Sequence, residues 1–216
     1  MSTVTVIGGH GKVALLLAPL LVEAGHDVRS WIRKPEQADD VRAVGAEPVV
    51  TDVEQLSTDE IAQQLVGSDA VVWAAGAGGG SPERTYAVDR DAALRSFDAA
   101  AQAGVKRYLI ISYFGAGPDH GVPEDNAFFA YADAKSAADK ALAGSSLAWT
   151  ILRPSSLTLE DPTGRIETSD AGATGGKVSR ANVAQTIAAA LADDDTIGRT
   201  IEFNDGDTPI AEAIKG

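Results

Sequence analysis

Short apolar or β-branched runs recur along this chain with helical stretches between them, and that alternation constrains its fold more than any other feature. The runs are TVTVIG at 3–8, DVRSWIR at 27–33, EPVVTD at 47–52, DAVVWAAG at 69–76, KRYLIIS at 106–112, AWTILRP at 148–154 and TIEFND at 200–205. Their lengths and residue types are those of strands. Between them lie GKVALLLAPLLVEAG, EQADDVRAVG, STDEIAQQLVGS, YAVDRDAALRSFDAAAQAGV and AFFAYADAKSAADKALAGS, several ending on a glycine suited to a left-handed helix cap. Such alternation predicts an α/β fold with a doubly wound parallel sheet. Ligands bind such sheets at the carboxyl ends of the strands, so function is sought in the loops after each strand and the linking helices are set aside.

The chain has 216 residues, 44% of them hydrophobic, which suits a single domain over residues 1–216. One shift in composition stands out: SSLTLEDPTGRIETSDAGATGGKVSR at 155–180 is rich in Gly, Ser and Thr, and is expected as a mobile flap or short hairpin near the active site. No cysteine is present, which excludes disulfides, thiolate metal sites and a cysteine nucleophile. His10, His26 and His120 are the only imidazoles, and no metal centre is expected. A net charge of −13 repels nucleic-acid phosphates and anionic lipid. No apolar run approaches the roughly 20 residues of a membrane span, and MSTVTVIGG lacks the basic start of a signal peptide. These features predict a cytoplasmic monomer or homodimer that acts on a small molecule, with no nucleic-acid or membrane partner.

Gly8, Gly11 and Ala14 form G-x-x-G-x-x-A between the first run and the first helix. A pyrophosphate would need such a turn: no Cβ where the backbone approaches it, then free N–H groups and a positive helix end. His10, Lys12 and Val13 border the anion in this reading, His10 through its backbone N–H rather than its ring. A tight turn without ligand fits the same glycines. The next strand tip weighs between the two, because it carries Arg33 and Lys34 where enzymes that prefer NAD usually carry Asp or Glu for the ribose hydroxyl. A guanidinium there can fork onto a 2′-phosphate, which predicts NADP(H) as cofactor. Asp52 and Val53 after the third strand suit an adenine edge and face. Ala74, Ala75 and Gly76 after the fourth are small enough to let a ribose pass.

In FFAYADAKSAADKAL, Tyr131 and Lys135 are four residues apart, on one face of a helix. The ammonium would lower the phenol from its usual value near 10 and hold the cofactor ribose, while tyrosine passes a proton to a carbonyl. A plain surface pair has the same spacing. Taken together, VIGGHGKVA, WIRKP, VVTDVEQ, VVWAAG, GVKRYLIIS, YADAKSAADKAL with LAWTILRPSSLT, SRANVAQTI and FNDGDTPIAEAI resemble the atypical short-chain dehydrogenases/reductases of the NAD(P)H-binding, NmrA-like group, to which biliverdin reductase B is also similar. The resemblance covers nearly the whole chain. It implies a Rossmann-like fold with a small C-terminal substrate lobe. It also implies pyrophosphate on Gly8 and Gly11, a 2′-phosphate on Arg33, nicotinamide ribose on Lys135, and nicotinamide against Pro154, Ser155, Ser156 and Leu157.

The superfamily's catalytic serine sits just past the fifth strand, where this chain reads ISYFGAG, so Ser112 or Tyr113 occupies its place. The catalytic set expected is Tyr131, Lys135 and Ser112. His120 in GPDHGVPEDN reads first as a solvated loop residue, and Ser179 in VSRANVA as a helix cap. The function expected is an NADPH-dependent reductase of a small carbonyl, quinone or aromatic substrate. The alternative is an NADP(H)-binding redox sensor without turnover, as in NmrA-like members. Sugar-nucleotide epimerases use a much larger C-terminal domain than the residues after 154 provide, so a nucleotide-sugar substrate is not expected.

Overall fold

A computed structural model describes residues 2–78 and 81–215, so the end of WAAGAGGG at 79 and 80 lies outside the described residues. Its strands are β1 (Thr3–Ile7), β2 (Asp27–Ile32), β3 (Glu47–Val50), β4 (Ala70–Trp73), β5 (Arg107–Ile111), β6 (Ala148–Pro154), β7 (Ser156–Thr158), β8 (Arg165–Thr168), β9 (Lys177–Ser179), β10 (Arg199–Asp205) and β11 (Thr208–Pro209). The main sheet has the order β11-β8-β10-β6-β5-β4-β1-β2-β3. From β3 to β10 every pairing is parallel, while β8 runs antiparallel to both β10 and β11. The fold is therefore the expected Rossmann-like sheet, closed at one edge by an antiparallel pair.

The helices are α1 (Lys12–Glu23), α2 (Ala38–Ala43), α3 (Thr58–Leu65), α4 (Pro82–Thr85), α5 (Ala93–Gln102), α6 (Phe129–Ala143), α7 (Arg180–Ala192) and α8 (Ile210–Ala213). A π-helical stretch, Tyr86–Ala92, joins α4 to α5. Central strands are buried on both faces and alternate between layers. Ala70 and Val72 of β4 pack with α1, α2 and α7, whereas Val71 and Trp73 pack with α3, α5 and α6. Ser179 caps α7, its hydroxyl accepting from the Asn182 N–H at 3.0 Å, as its place before an apolar run predicts. Arg107, buried at the start of β5, donates to the carbonyls of Ala148 and Ala190 and to the hydroxyls of Thr150 and Thr196, tying the end of α7 to the sheet.

Residues 155–180 do not form a hairpin. Strands β7 and β9 pair parallel as a separate ribbon, and β8 between them leaves to join the main sheet. Among the described residues no helix is long and apolar enough to cross a membrane.

The strand order reverses at β1, whose neighbours are β2 and β4. Loops on either side of β1 run in opposite directions from this point and leave a crevice between them.

Candidate active site

Two adjoining cavities fill that crevice. The first is walled by Gly8, His10, Gly11, Trp31, Ile32, Arg33, Gln37, Thr51, Asp52, Val53, Glu54, Ala77, Arg84 and Val88, and the second by Lys12, Val13, Gly78, Asp89, Ile111, Tyr131, Lys135, Leu157 and Arg180. Both are also walled by Ala74, Ala75 and Gly76, so they form one elongated cleft.

The three glycines of the turn do different work. Gly8 has φ +86°, and a Cβ there would stand 2.6 Å from the backbone of Ala75. A Cβ on Gly9 would strike Ser30 at 2.4 Å; its N–H donates to the Trp31 carbonyl, so this glycine packs the turn onto β2. Gly11 has ordinary geometry (φ −64°) and starts α1 with no side chain capping it. The first intrahelical bond is Leu15 N–H to Gly11 C=O, so the preceding amides of α1 face the cleft beside Lys12, Val13 and Ala14 with no acidic side chain in the first turn. A helix end of this kind is an anion site, and a pyrophosphate fits it.

Arg33, exposed just past β2, stands on the wall of the first cavity. Lys34 does not: its ammonium is 3.8 Å from Glu36 at the surface. The His10 ring, rather than being idle, meets Asp40 at 2.8 Å and Gln37 at 3.1 Å, which ties the glycine turn to α2. Asp52 and Val53 line the cavity as expected, and the Asp52 carboxylate accepts from the Glu54 N–H at 3.2 Å.

At the other end Tyr131, Lys135 and Leu157 meet on one wall. Lys135 is 1% exposed, and its Nζ lies 3.8 Å from Oδ1 of Asp89, also 1% exposed. The other oxygen of Asp89 accepts from the Ala77 N–H at 2.9 Å, so one carboxylate holds both the lysine and the loop after β4. Asp89 comes from a linking helix, outside the strand-end loops in which function is sought from sequence. The π-helical stretch inserts a residue into the helix and delivers this carboxylate to the cleft, a common use of such bulges. In the sequence only its place in YAVDRDAA, an acid on an otherwise apolar helix face, could have signalled it.

The expectation that Lys135 lowers the Tyr131 phenol is corrected. Burial raises the phenol well above its usual value, and the carboxylates of Asp89 and Asp139 raise it further. The ammonium lies 5.9 Å from the Tyr131 ring centroid and serves Asp89 instead.

Ser112 takes up a different place from the one expected of a catalytic serine. It is buried outside both cavity walls, and its hydroxyl donates to Asp139 Oδ2 at 2.8 Å. Arg153 shares that oxygen at 3.0 Å and reaches Glu202 at 3.1 Å. Burial raises Asp139 against the opposing pull of Arg153 and Lys135. Tyr113 turns the other way, its ring 5.6 Å from that of Tyr131 and 5.2 Å from Phe128. These rings pack into one aromatic cluster beside the second cavity, on whose wall Tyr131 stands. His120 lies apart: its ring packs on Phe129 and accepts from the Val122 N–H.

Of the turn after β6, Leu157 reaches the cleft, while Pro154, Ser155 and Ser156 do not wall it. Ser155 and Ser156 instead anchor Gly176, the first through its hydroxyl at 3.1 Å and the second through its N–H at 3.2 Å. Arg180 on α7 donates to the carbonyls of Leu157 and Thr158, pinning β7 beside the cleft. Among the described residues no group of acidic or imidazole side chains is arranged to hold a metal ion.

Known proteins resemble this chain in sequence and fold. A family model described as NAD(P)H-binding matches residues 8–194. The chain is 38% identical over 214 residues to a Bacillus subtilis protein named uncharacterized sugar epimerase YhfK, covering 98% of each. A solved structure from Bacillus halodurans that carries the name of an NAD-dependent epimerase/dehydratase superposes with a TM-score of 0.91 at 33% identity, over 100% of this chain and 99% of that one. The oxidoreductase ylbE from Lactococcus lactis superposes with a TM-score of 0.85 at 30% identity, over 99% and 95%.

Proposed function

We propose, for a chain that belongs to the NAD(P)H-binding family, that it is an NADPH-dependent reductase of a small carbonyl, quinone or aromatic substrate. The observation that carries this reading is one cleft with the exposed Arg33 at one end and Tyr131 beside Lys135 at the other. Gly8, Gly11 and the α1 amides would hold the pyrophosphate between them, Arg33 a 2′-phosphate, and Asp52 with Val53 the adenine.

When bound, the nicotinamide supplies a hydride. The chain's own part is to place and protonate. Tyr131 carries its proton at neutral pH, and burial with two carboxylates makes it a weaker acid than a free phenol, so a carbonyl oxygen would take that proton only as hydride transfer builds negative charge on it. Asp89 holds the Lys135 ammonium beside the same cavity, where it can bond a ribose hydroxyl. Tyr131 on the cavity wall, with the Tyr113 and Phe128 rings packed tilted or edge-on around it, would offer apolar contact to an aromatic or quinone ring.

The relatives' names divide between epimerase and oxidoreductase chemistry. Reduction of a small molecule is supported by the architecture beyond β6: β8, β10 and β11 extend the sheet, and α7 and α8 cover it. Among the described residues this region is small for a lobe that would also hold a second nucleotide.

Two measurements test the proposal. Titration with NADPH and NADH in parallel is expected to favour NADPH, and Arg33→Ala to weaken NADPH by about 10- to 100-fold while NADH changes little, the worth of one lost charged bidentate contact. An unchanged ratio would overturn the 2′-phosphate assignment. Tyr131→Phe is expected to slow NADPH consumption on quinones or aldehydes by about a hundredfold or more. The commitment of Ser112 to Asp139 favours a second reading, a sensor that binds NADP(H) without turnover. Tight NADPH binding by wild type with no consumption across that panel would select it.

A further inference from the structure

The first cavity has a feature that the cofactor assignment leaves unused. Arg84, on α4, stands on its wall and spans its two banks. Its Nη1 donates to the Ala77 carbonyl at 2.6 Å, on the loop after β4, and its Nε lies 3.6 Å from Glu54 Oε2, on the loop after β3. Glu54 is itself part of the wall, with its side chain 21% exposed. Its bank is held from behind by Arg95 of α5, which donates to the carbonyls of Val53, Glu54 and Leu56. Ala77 is gripped a second time through its N–H by Asp89.

We infer that Arg84 is a positioning and affinity-setting residue for the adenosine half of the dinucleotide. It fixes the width of the slot between Glu54 and Ala77 and presents the face of a guanidinium to a base lying in it. The inference rests on the proposed reading of the first cavity as the adenosine end. An adenine between Val53 and Arg84 would gain apolar contact on one side and a cation over its π face on the other. The planar fork matters more than the charge. A lysine ammonium is a point donor and cannot serve the Ala77 carbonyl and the Glu54 carboxylate with one fixed geometry.

The test uses the full chain and two halves of the cofactor, adenosine 2′,5′-bisphosphate and nicotinamide mononucleotide, by calorimetric titration. Arg84→Ala is expected to weaken the bisphosphate about tenfold, and Arg84→Lys by several fold. Both should respond to nicotinamide mononucleotide as wild type does. Glu54→Gln, which keeps the loop's shape, should weaken only the bisphosphate, by a few fold. This split between halves is what a merely structural role would not produce. Unchanged bisphosphate affinity in the folded Arg84 variants, or equal losses for both halves, would overturn the inference. Failure of wild type to bind the bisphosphate at all would instead overturn the cofactor reading, and this inference with it.

Discussion

Lys135→Met is expected to cost the fold about 3–5 kcal/mol, read from urea unfolding at neutral pH, because it strands the Asp89 carboxylate in the interior. Both groups are 1% exposed, and the Nζ–Oδ1 distance of 3.8 Å makes the ammonium the cation nearest that oxygen among the ion pairs of the described residues. Asp89 Oδ1 has no hydrogen-bond partner, so beyond the one Ala77 N–H at Oδ2 the ammonium is what offsets the carboxylate's charge. The double variant Asp89→Asn with Lys135→Met removes both charges and should recover most of the loss. An amide at 89 can still face the Ala77 N–H with its oxygen. Reductase turnover should stay low in the double variant, since the ammonium beside the second cavity is gone. A single variant that unfolds within about 1 kcal/mol of wild type would show that the pair carries no such energy. Recovered turnover in the double variant would remove Lys135 from the chemistry.

Gly8→Ala and Gly11→Ala should separate two roles that share one motif. At Gly8 the backbone is left-handed (φ +86°) and the new methyl would press into Ala75 at 2.6 Å. Left-handed strain of about 1–2 kcal/mol and a backbone clash should together destabilise the protein by about 2–4 kcal/mol. Gly11 is in ordinary extended geometry, and its Cβ would meet only the Gly8 carbonyl at 3.2 Å and the Ala74 carbonyl at 3.8 Å. Gly11→Ala should therefore unfold near wild type, with a cost of roughly 1 kcal/mol or less at the helix cap. It should weaken NADPH about tenfold or more, because Gly11 stands on the cleft wall where the backbone would have to come close to the pyrophosphate. Equal stability of the two variants would contradict the geometry of the turn.

Much of the fold was legible because its signals are local. A β-branched run, a glycine turn and an apolar helix are each specified within about fifteen residues, and β1 through β6 fall where the runs at 3–8, 27–33, 47–52, 69–76, 106–112 and 148–154 predict. The edge was less legible. Strands β7, β8, β9 and β11 are two to four residues each, too short for a period to stand out, and their partners lie elsewhere in the chain: β8 pairs with the edge of β10, β11 with β8, and β7 with β9. The same limit governs the site. Gly8, Gly11, Arg33, Asp52, Tyr131 and Lys135 line the cleft, since each follows a strand tip or shares a helix face with a neighbour four residues away. Arg84, Glu54 and Asp89 also line it, but what they do there depends on partners distant in the chain: Arg84 meets Glu54 and Ala77, and Asp89 meets Lys135 and Ala77.

The sequence by itself determined the order of strands and helices, the glycine turn that opens α1 and the positive charge after β2, all properties of contiguous residues. Only the tertiary structure decided what those groups experience. It pairs Lys135 with a carboxylate from another helix, gives the Ser112 hydroxyl to Asp139, and raises rather than lowers the Tyr131 phenol. Each outcome depends on which charges burial brings together, and a low-dielectric interior weights those distant neighbours above the residues next to them in the chain.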